Sequence, residues 1–338
     1  MNTSTTRNQA PRHYPLIEKE SSLPVGLFTW ILAQRKSCPR GAPDSINLPA
    51  IGLTTILKKK MNPKTFLFLL MANFLFVRPS ALPAAEPTNA TEAAAKKAIE
   101  DQRIEGVYQA KVATLSSERQ AWEKTLQENL GNGFYLPLHK RDFVKGTSTA
   151  WDFVADDPKL PRVLLIGDSV SRGYTLAVRA ALAGKANVHR APENCGPTAN
   201  ALKKLETWLA SAGPAKWEVI HFNFGIHDRA TSLPDYAQRL TEIIARLRPT
   251  GATLIWASTT PIPDDLEKKQ TAASIVEHNQ AAAAVMKQHG VSIDDLFVAI
   301  TPNLATMQNP NDVHFNAKGY EFLGGTVAQA IEAQLRQR

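Results

Sequence analysis

The sequence predicts an α/β fold, with a central parallel five-stranded sheet covered by helices on both faces and a helical arm in front of it. Three observations predict it. From Leu160 onward, short apolar runs alternate with longer helical patterns, which is the rhythm of βα units. The run Val163-Leu164-Leu165-Ile166 is continuous rather than alternating, as a strand buried on both faces requires. Between Thr91 and Leu130 the pattern is helical, without a strand-like run.

The elements follow in order. Residues 86–95 are rich in Pro, Thr and Ala and read as a flexible lead-in. A first helix is expected over 91–112. A second follows Ser116-Ser117, a plausible cap, and carries Trp122, Leu126 and Leu130 on one stripe. Gly131-Asn132-Gly133 is expected to stop it, and 134–151 reads as irregular. Residues 86–160 therefore form the arm, packed on the domain at 161–338. In that domain, strands are expected at 163–166, 187–190, 219–224, 253–258 and 291–293. Helices are expected at 170–182, 199–211, 234–247, 271–289 and 317–335. In such sheets the working groups gather at the carboxyl ends of the strands.

The front of the chain is set apart by its own signals. Residues 61–85 place Lys64 before an apolar run of 13 residues, 65–77, followed by breakers and small residues. That is the layout of a secretory signal peptide, and the run is short of the ~20 residues a spanning helix needs. Translation is expected to start at Met61, with 1–60 a mis-assigned or disordered extension; the rival reading keeps 1–60 as a cytoplasmic extension and 65–77 as an uncleaved anchor. The expected location is secreted or periplasmic, with no stable membrane insertion after cleavage. The formal charge of +8 sits in this front part, because from Glu86 onward 28 basic residues face 28 acidic ones. No global basic field remains to attract nucleic acid, and the few scattered aromatics offer no platform for stacked bases. Cys195 is then the lone cysteine, and it reads as a small buried hydrophobe rather than a nucleophile.

Four loop segments could carry chemistry. Gly167-Asp168-Ser169-Val170 ends the first strand and places a hydroxyl where helix N–H groups point at any anion forming beside it. By itself, a Ser there is also an ordinary cap. Asn311-Asp312-Val313-His314 precedes the last helix. A serine nucleophile needs a base, usually His, and an acidic or amide group to orient the ring. Asn194-Cys195-Gly196-Pro197 follows the second strand, where the Gly196 amide can approach an oxyanion closely. Gly225-Ile226-His227-Asp228 ends the third strand, and His227 could donate a ring N–H. His221 and His227 share a strand parity, but no carboxylate or Cys at ligand spacing completes a metal site. Glu277-His278-Asn279 reads as a solvated helix face.

Taken as a set and in this order, the four segments resemble the blocks of the SGNH (GDSL-type) hydrolases over roughly residues 160–338. The resemblance implies a three-layer flavodoxin-like fold and ester hydrolysis with no metal or organic cofactor. It also implies Ser169 as nucleophile, His314 as base, and an oxyanion hole of the Ser169 amide, the Gly196 amide and the residue at 227. Two positions depart from the family. His227 stands where the family has Asn, and imidazole as a donor makes that role pH-dependent. Asn223, four residues earlier, falls within the expected strand. Asn311 stands three residues before His314 where the family has Asp, so that Asp312, Asn311 or neither orients the ring; Asp312 is the favoured partner.

Export and the arm make the whole similar to bacterial carbohydrate esterases. The expected substrate is a small acyl ester, acetyl in first place, on a carbohydrate or another small alcohol. A lysophospholipase, thioesterase or acyltransferase on the same machinery is the nearest alternative, although no long apolar lid is evident. A catalytically inactive glycan- or protein-binding domain is the other.

Overall fold

The computed structural model describes residues 89–265 and 271–337. The expected extension 1–60 and the signal peptide 61–85 lie outside the described residues. The chain begins with α1 (Asn89–Val112), α2 (Ser117–Asn129) and α3 (Leu136–Lys145). It then runs through β1 (Arg162–Ile166), α4 (Ser169–Ala181), β2 (Asn187–Arg190), α5 (Thr198–Ala210) and β3 (Val219–Phe222). Next come α6 (Leu233–Leu247), β4 (Thr253–Ala257), α7 (Ala272–Gln288) and β5 (Ser292–Asp294). The short helices α8 (Leu296–Ile300) and α9 (Leu304–Met307) lead into α10 (Ala317–Leu335).

The five strands form one parallel sheet in the order β2-β1-β3-β4-β5. Every residue of β1 is buried, because successive side chains enter opposite cores. Leu164 and Ile166 face the layer of α5, α6 and α7, packing with Leu205, Trp208, Leu240 and Met286. Val163 and Leu165 face the layer of α4 and α10, packing with Tyr174, Val178, Leu323 and Val327. Each such large side chain stabilises the fold by about 1.5–3 kcal/mol on burial, so continuous apolar strands hold both layers. The α/β architecture with helices on both faces is the one the sequence predicts.

Helix α10 approaches α4 closely. A Cβ on Gly324 would stand 2.4 Å from the Ala177 Cβ, and one on Gly173 would strike the Tyr320 ring. The contact docks the element after His314 onto the helix that begins with Ser169.

The arm has a core of its own. Trp122, Leu126, Leu130, Leu136 and Trp151 pack together, and the Trp122 indole donates to the Trp151 carbonyl at 2.7 Å. Buried Glu123 accepts from the Tyr108 hydroxyl at 2.7 Å and lies 2.8 Å from Nε2 of His139. The last part of the arm is tied to β2 and α4. Asn187 donates to the carbonyls of Asp157 and Leu160, and Arg179 to those of Thr149 and Ala150.

Three expectations are corrected. Residues 134–151 are not irregular throughout, because after a π-turn at Gly131–Tyr135 the chain enters α3. Pro137 sits in the first turn of α3, where its missing N–H leaves no bond unmade. Strand β3 ends at Phe222 rather than 224, since the Asn223 side chain turns to the Ala257 carbonyl at 2.7 Å. His278 is buried, with ring nitrogens on the Ser274 and Thr231 carbonyls, while Asn279 bonds both backbone groups of Thr259.

Candidate active site

The turn between β1 and α4 presents Ser169. Gly167 admits no Cβ, which would stand 2.7 Å from the Ser171 Cβ. Asp168 caps α4, accepting from the Val170 amide at 2.9 Å. Beneath the turn, buried Arg190 at the end of β2 donates to the carbonyls of Gly167 at 3.1 Å and Asp168 at 2.8 Å. Ser169 thus opens the helix on a turn braced from below.

The loop before α10 is braced as well. Gln308 and Phe315 form an antiparallel bridge, and the Asn309 amide bonds the His314 carbonyl at 3.0 Å. Phe315 is buried, and Asn316 caps α10 through the Gly319 amide. Half-buried His314 is held between two partners. Its Nε2 lies 2.8 Å from Ser169 Oγ, and its Nδ1 lies 2.8 Å from Asp312 Oδ1. Burial opposes ionisation of Asp312, but hydrogen bonds from the ring and amide of His314 outweigh it and hold its carboxyl below the usual value. An ionised Asp312 can only accept, so Nδ1 carries the proton. Nε2 of the neutral ring is then free to accept the Ser169 proton.

Of the two residues expected to compete for His314, Asp312 reaches it and Asn311 does not. Asn311 is exposed and adopts a φ of 54°, in the left-handed region that Asn tolerates better than most residues.

The Gly196 segment is tethered on both sides. The Cys195 amide bonds the Gly167 carbonyl at 3.2 Å, and Gly196 takes a φ of 65°. Buried Asp228 accepts the Thr198 amide at 2.9 Å and the Thr198 hydroxyl at 2.5 Å, which fastens the start of α5 to the segment after β3. Burial pushes the Asp228 carboxyl up, against these bonds. His227 is 39% exposed on its side chain, with Nε2 3.9 Å from Oδ2 of Asp168, so it stands at the rim of the nucleophile turn. The Asn223 amide is already committed to Ala257 and Thr259. Cys195 is fully buried, and burial pushes its thiol up to about 12.

His221 is not paired with His227. Its Nε2 meets Asp294 of β5 at 3.0 Å inside the sheet. Among the described residues, no group of three or more His, Cys, Asp or Glu side chains is placed to hold a metal ion. No described helix is long and apolar enough to cross a membrane.

Sequence reasoning missed two residues beside Ser169. Arg172 follows three positions later on α4, hence on the same helix face. That spacing was readable, but nothing marked the residue as more than a surface charge. Tyr135 comes from the arm. Its phenol is raised by burial, against the nearby Arg172 guanidinium. No local pattern announces such a contact.

A search of curated protein sequences returned no match. Among solved structures, the chain is similar to a lipase/acylhydrolase from Enterococcus faecalis, at 22% identity over 52% of this chain and 96% of that one, with a TM-score of 0.46. It is also similar to an acetylxylan esterase from Geobacillus stearothermophilus, at 14% identity over 52% of this chain and 94% of that one, with a TM-score of 0.42. A lipolytic G-D-S-L family protein from Veillonella parvula matches at 19% identity over 51% of this chain and 98% of that one, with a TM-score of 0.42. Residues 165–322 match the GDSL-like lipase/acylhydrolase family. They contain Ser169, Gly196, His227 and His314, and the match of this domain to that family supports a carboxylic ester hydrolase.

Proposed function

We propose that the chain is an exported serine esterase that removes small acyl groups, acetyl in first place, from carbohydrate. The observation that carries the serine mechanism is the His314 ring, 2.8 Å from both Ser169 Oγ and Asp312 Oδ1. Ser169 Oγ attacks the acyl carbon while His314 Nε2 takes its proton. The N–H groups of Ser169 and Gly196 and the His227 ring hold the oxyanion. The C–O bond to the sugar breaks, and Nε2 returns the proton to the departing alkoxide. Water then attacks the acyl-Ser169 carbonyl, again with His314 as base, and releases the acid. Asp312 keeps the ring in the working tautomer and stabilises the imidazolium. Export rests on the signal-peptide layout of 61–85, and the carbohydrate substrate on the resemblance of the sequence to bacterial carbohydrate esterases.

The test is a fluorophosphonate, which phosphonylates only an activated serine, read by intact mass and peptide mapping. A single adduct on Ser169 is expected, absent in Ser169→Ala and His314→Ala, with esterase activity reduced about 10⁴-fold or more in both. Acetate release from acetylated polysaccharides then tests the substrate. A folded protein that takes no adduct between about pH 6 and 9 would overturn the reading.

A further inference from the structure

We infer that Phe134 and Tyr135 of the arm and Arg172 of α4 form a subsite beside Ser169 for an acidic saccharide. The guanidinium takes a uronate carboxylate, and the aromatic pair takes the sugar ring. The inference deepens the proposed carbohydrate esterase, and it rests on that reading for its biological use.

Arg172 is the observation that starts the argument. Its guanidinium carbon lies 5.8 Å from the ring centroids of both Tyr135 and Trp151, so the cation is held against two aromatic faces. Its Nε is buried without a hydrogen-bond partner. The guanidinium makes no hydrogen bond or ion pair among the described residues. Three other buried or half-buried arginines here each bond at least two carbonyls, although Nε and Nη1 of Arg190 are also without a partner. Arg162 meets Asp156 and the Ala212 and Ala215 carbonyls, Arg179 the Thr149, Ala150 and Val188 carbonyls, and Arg190 the Gly167 and Asp168 carbonyls.

A buried Nε with no partner is costly in a folded protein. A planar fork of donors is what a carboxylate satisfies with two parallel bonds. The nearby Asp168 does not fill this role. It caps the Val170 amide, and it lies within ion-pair distance of His227 rather than of Arg172.

The aromatic side of the subsite comes from the π-turn. Phe134 is 62% exposed, which is unusual for so large an apolar side chain, and its ring meets Tyr135 edge to face at 5.0 Å. Tyr135 in turn meets Trp151 edge to face at 5.5 Å, and its phenol lies within the influence of Arg172 and Ser169. Single-turn π insertions in helical segments are frequent at functional sites. The C–H face of a pyranose has the apolar character to cover such rings. A neutral sugar would use only the aromatic pair; a uronate would use the pair and the cation together.

The experiment titrates the full-length protein with methyl β-D-glucuronide and with methyl β-D-glucoside, by calorimetry. Neither probe is an ester, so the readout is independent of hydrolysis, and the fluorophosphonate adduct separately reports whether Ser169 is activated. The glucuronide is expected to bind about tenfold more tightly at low salt, a factor that one charge-assisted pair supplies. The preference should shrink as NaCl is raised. Arg172→Gln should remove the preference, Arg172→Lys should restore part of it, and Phe134→Ala should weaken both sugars several-fold. Equal binding of the two sugars, no binding of either, or a preference that persists in folded Arg172→Gln overturns the inference. A Ser169 adduct together with equal sugar binding would refute the acidic subsite and leave the esterase standing.

Discussion

Asp312 Oδ1 bonds both the ring Nδ1 of His314 at 2.8 Å and the backbone amide of His314 at 3.2 Å, while Asn311 turns the chain at a φ of 54°. The two neighbours therefore divide the work, one orienting the imidazole and the other shaping the loop. Asp312→Asn should lower kcat by about 10²–10⁴, because an amide supports the imidazolium less and can favour the wrong tautomer. Asn311→Gly should retain activity, and Asn311→Ala should cost about 1–2 kcal/mol of stability through its left-handed backbone. Steady-state kinetics and urea denaturation of the three variants check the division. A larger kcat loss in Asn311→Gly than in Asp312→Asn would reverse it.

Asp228 acts at a distance from the reaction. It clamps Thr198, and Thr198 starts the helix that follows Gly196. Asp228→Ala leaves the Thr198 amide and hydroxyl unpaired in a buried place, which costs about 1–3 kcal/mol. The Gly196 amide should lose its placement, so kcat falls while binding of a non-hydrolysable substrate analogue changes little. Asp228→Asn should do less harm, since its amide oxygen still accepts from Thr198. The sign of the acid shift agrees. With a raised folded-state pKa, the folded protein holds this proton more tightly than the unfolded chain. The charged form therefore loses stability as pH rises through the acid range, and the neutral Asn avoids that loss. Urea midpoints from pH 4 to 7 would show a shallower pH dependence in Asp228→Asn.

In the arm, Glu123 serves the Tyr108 hydroxyl and His139 at once, and burial followed by the Glu123 contact raises the Tyr108 phenol. Glu123→Ala strands both partners in a dry core and should destabilise the protein by about 3 kcal/mol. Chemical denaturation followed by tryptophan fluorescence, which Trp122 and Trp151 report, measures it. A loss under about 0.5 kcal/mol would mean that water replaces the carboxylate.

Cys195 makes a prediction about pH. Burial raises its thiol to about 12, so no thiolate forms at pH 8 to 9 in the folded protein. In a Cys38→Ser background, a chromogenic disulfide should leave native protein unmodified at pH 8 and react once the chain is unfolded. Rapid labelling of the native state would place Cys195 at an accessible site instead.

The sheet was legible because its inner strands β1, β3 and β4 are largely apolar runs, a pattern that burial on both faces imposes directly. Three of the four site segments were legible because they follow a strand where the chain must turn, and the fourth because it precedes the last helix. What stayed hidden depends on tertiary contact. Helix α3 was masked by Gly131, Gly133 and Pro137, three breakers that the structure accommodates with a π-turn and a first-turn proline. His278 looked solvated because its carbonyl partners, Ser274 and Thr231, include one that is 47 residues away. Tyr135 was invisible as a neighbour of Ser169 for the same reason.

The close fit of Gly324 against Ala177 also bears on the order of events in folding. Ser169 and His314 are 145 residues apart, and their juxtaposition depends on α10 docking against α4. Contacts of such long sequence separation form at a high loop-closure cost. A partly folded chain with the β1–β3 pairing in place but α10 undocked has a serine without a base. Hydrolysis therefore marks only the finished molecule, and its recovery after dilution from urea should trail the return of helical and sheet signals.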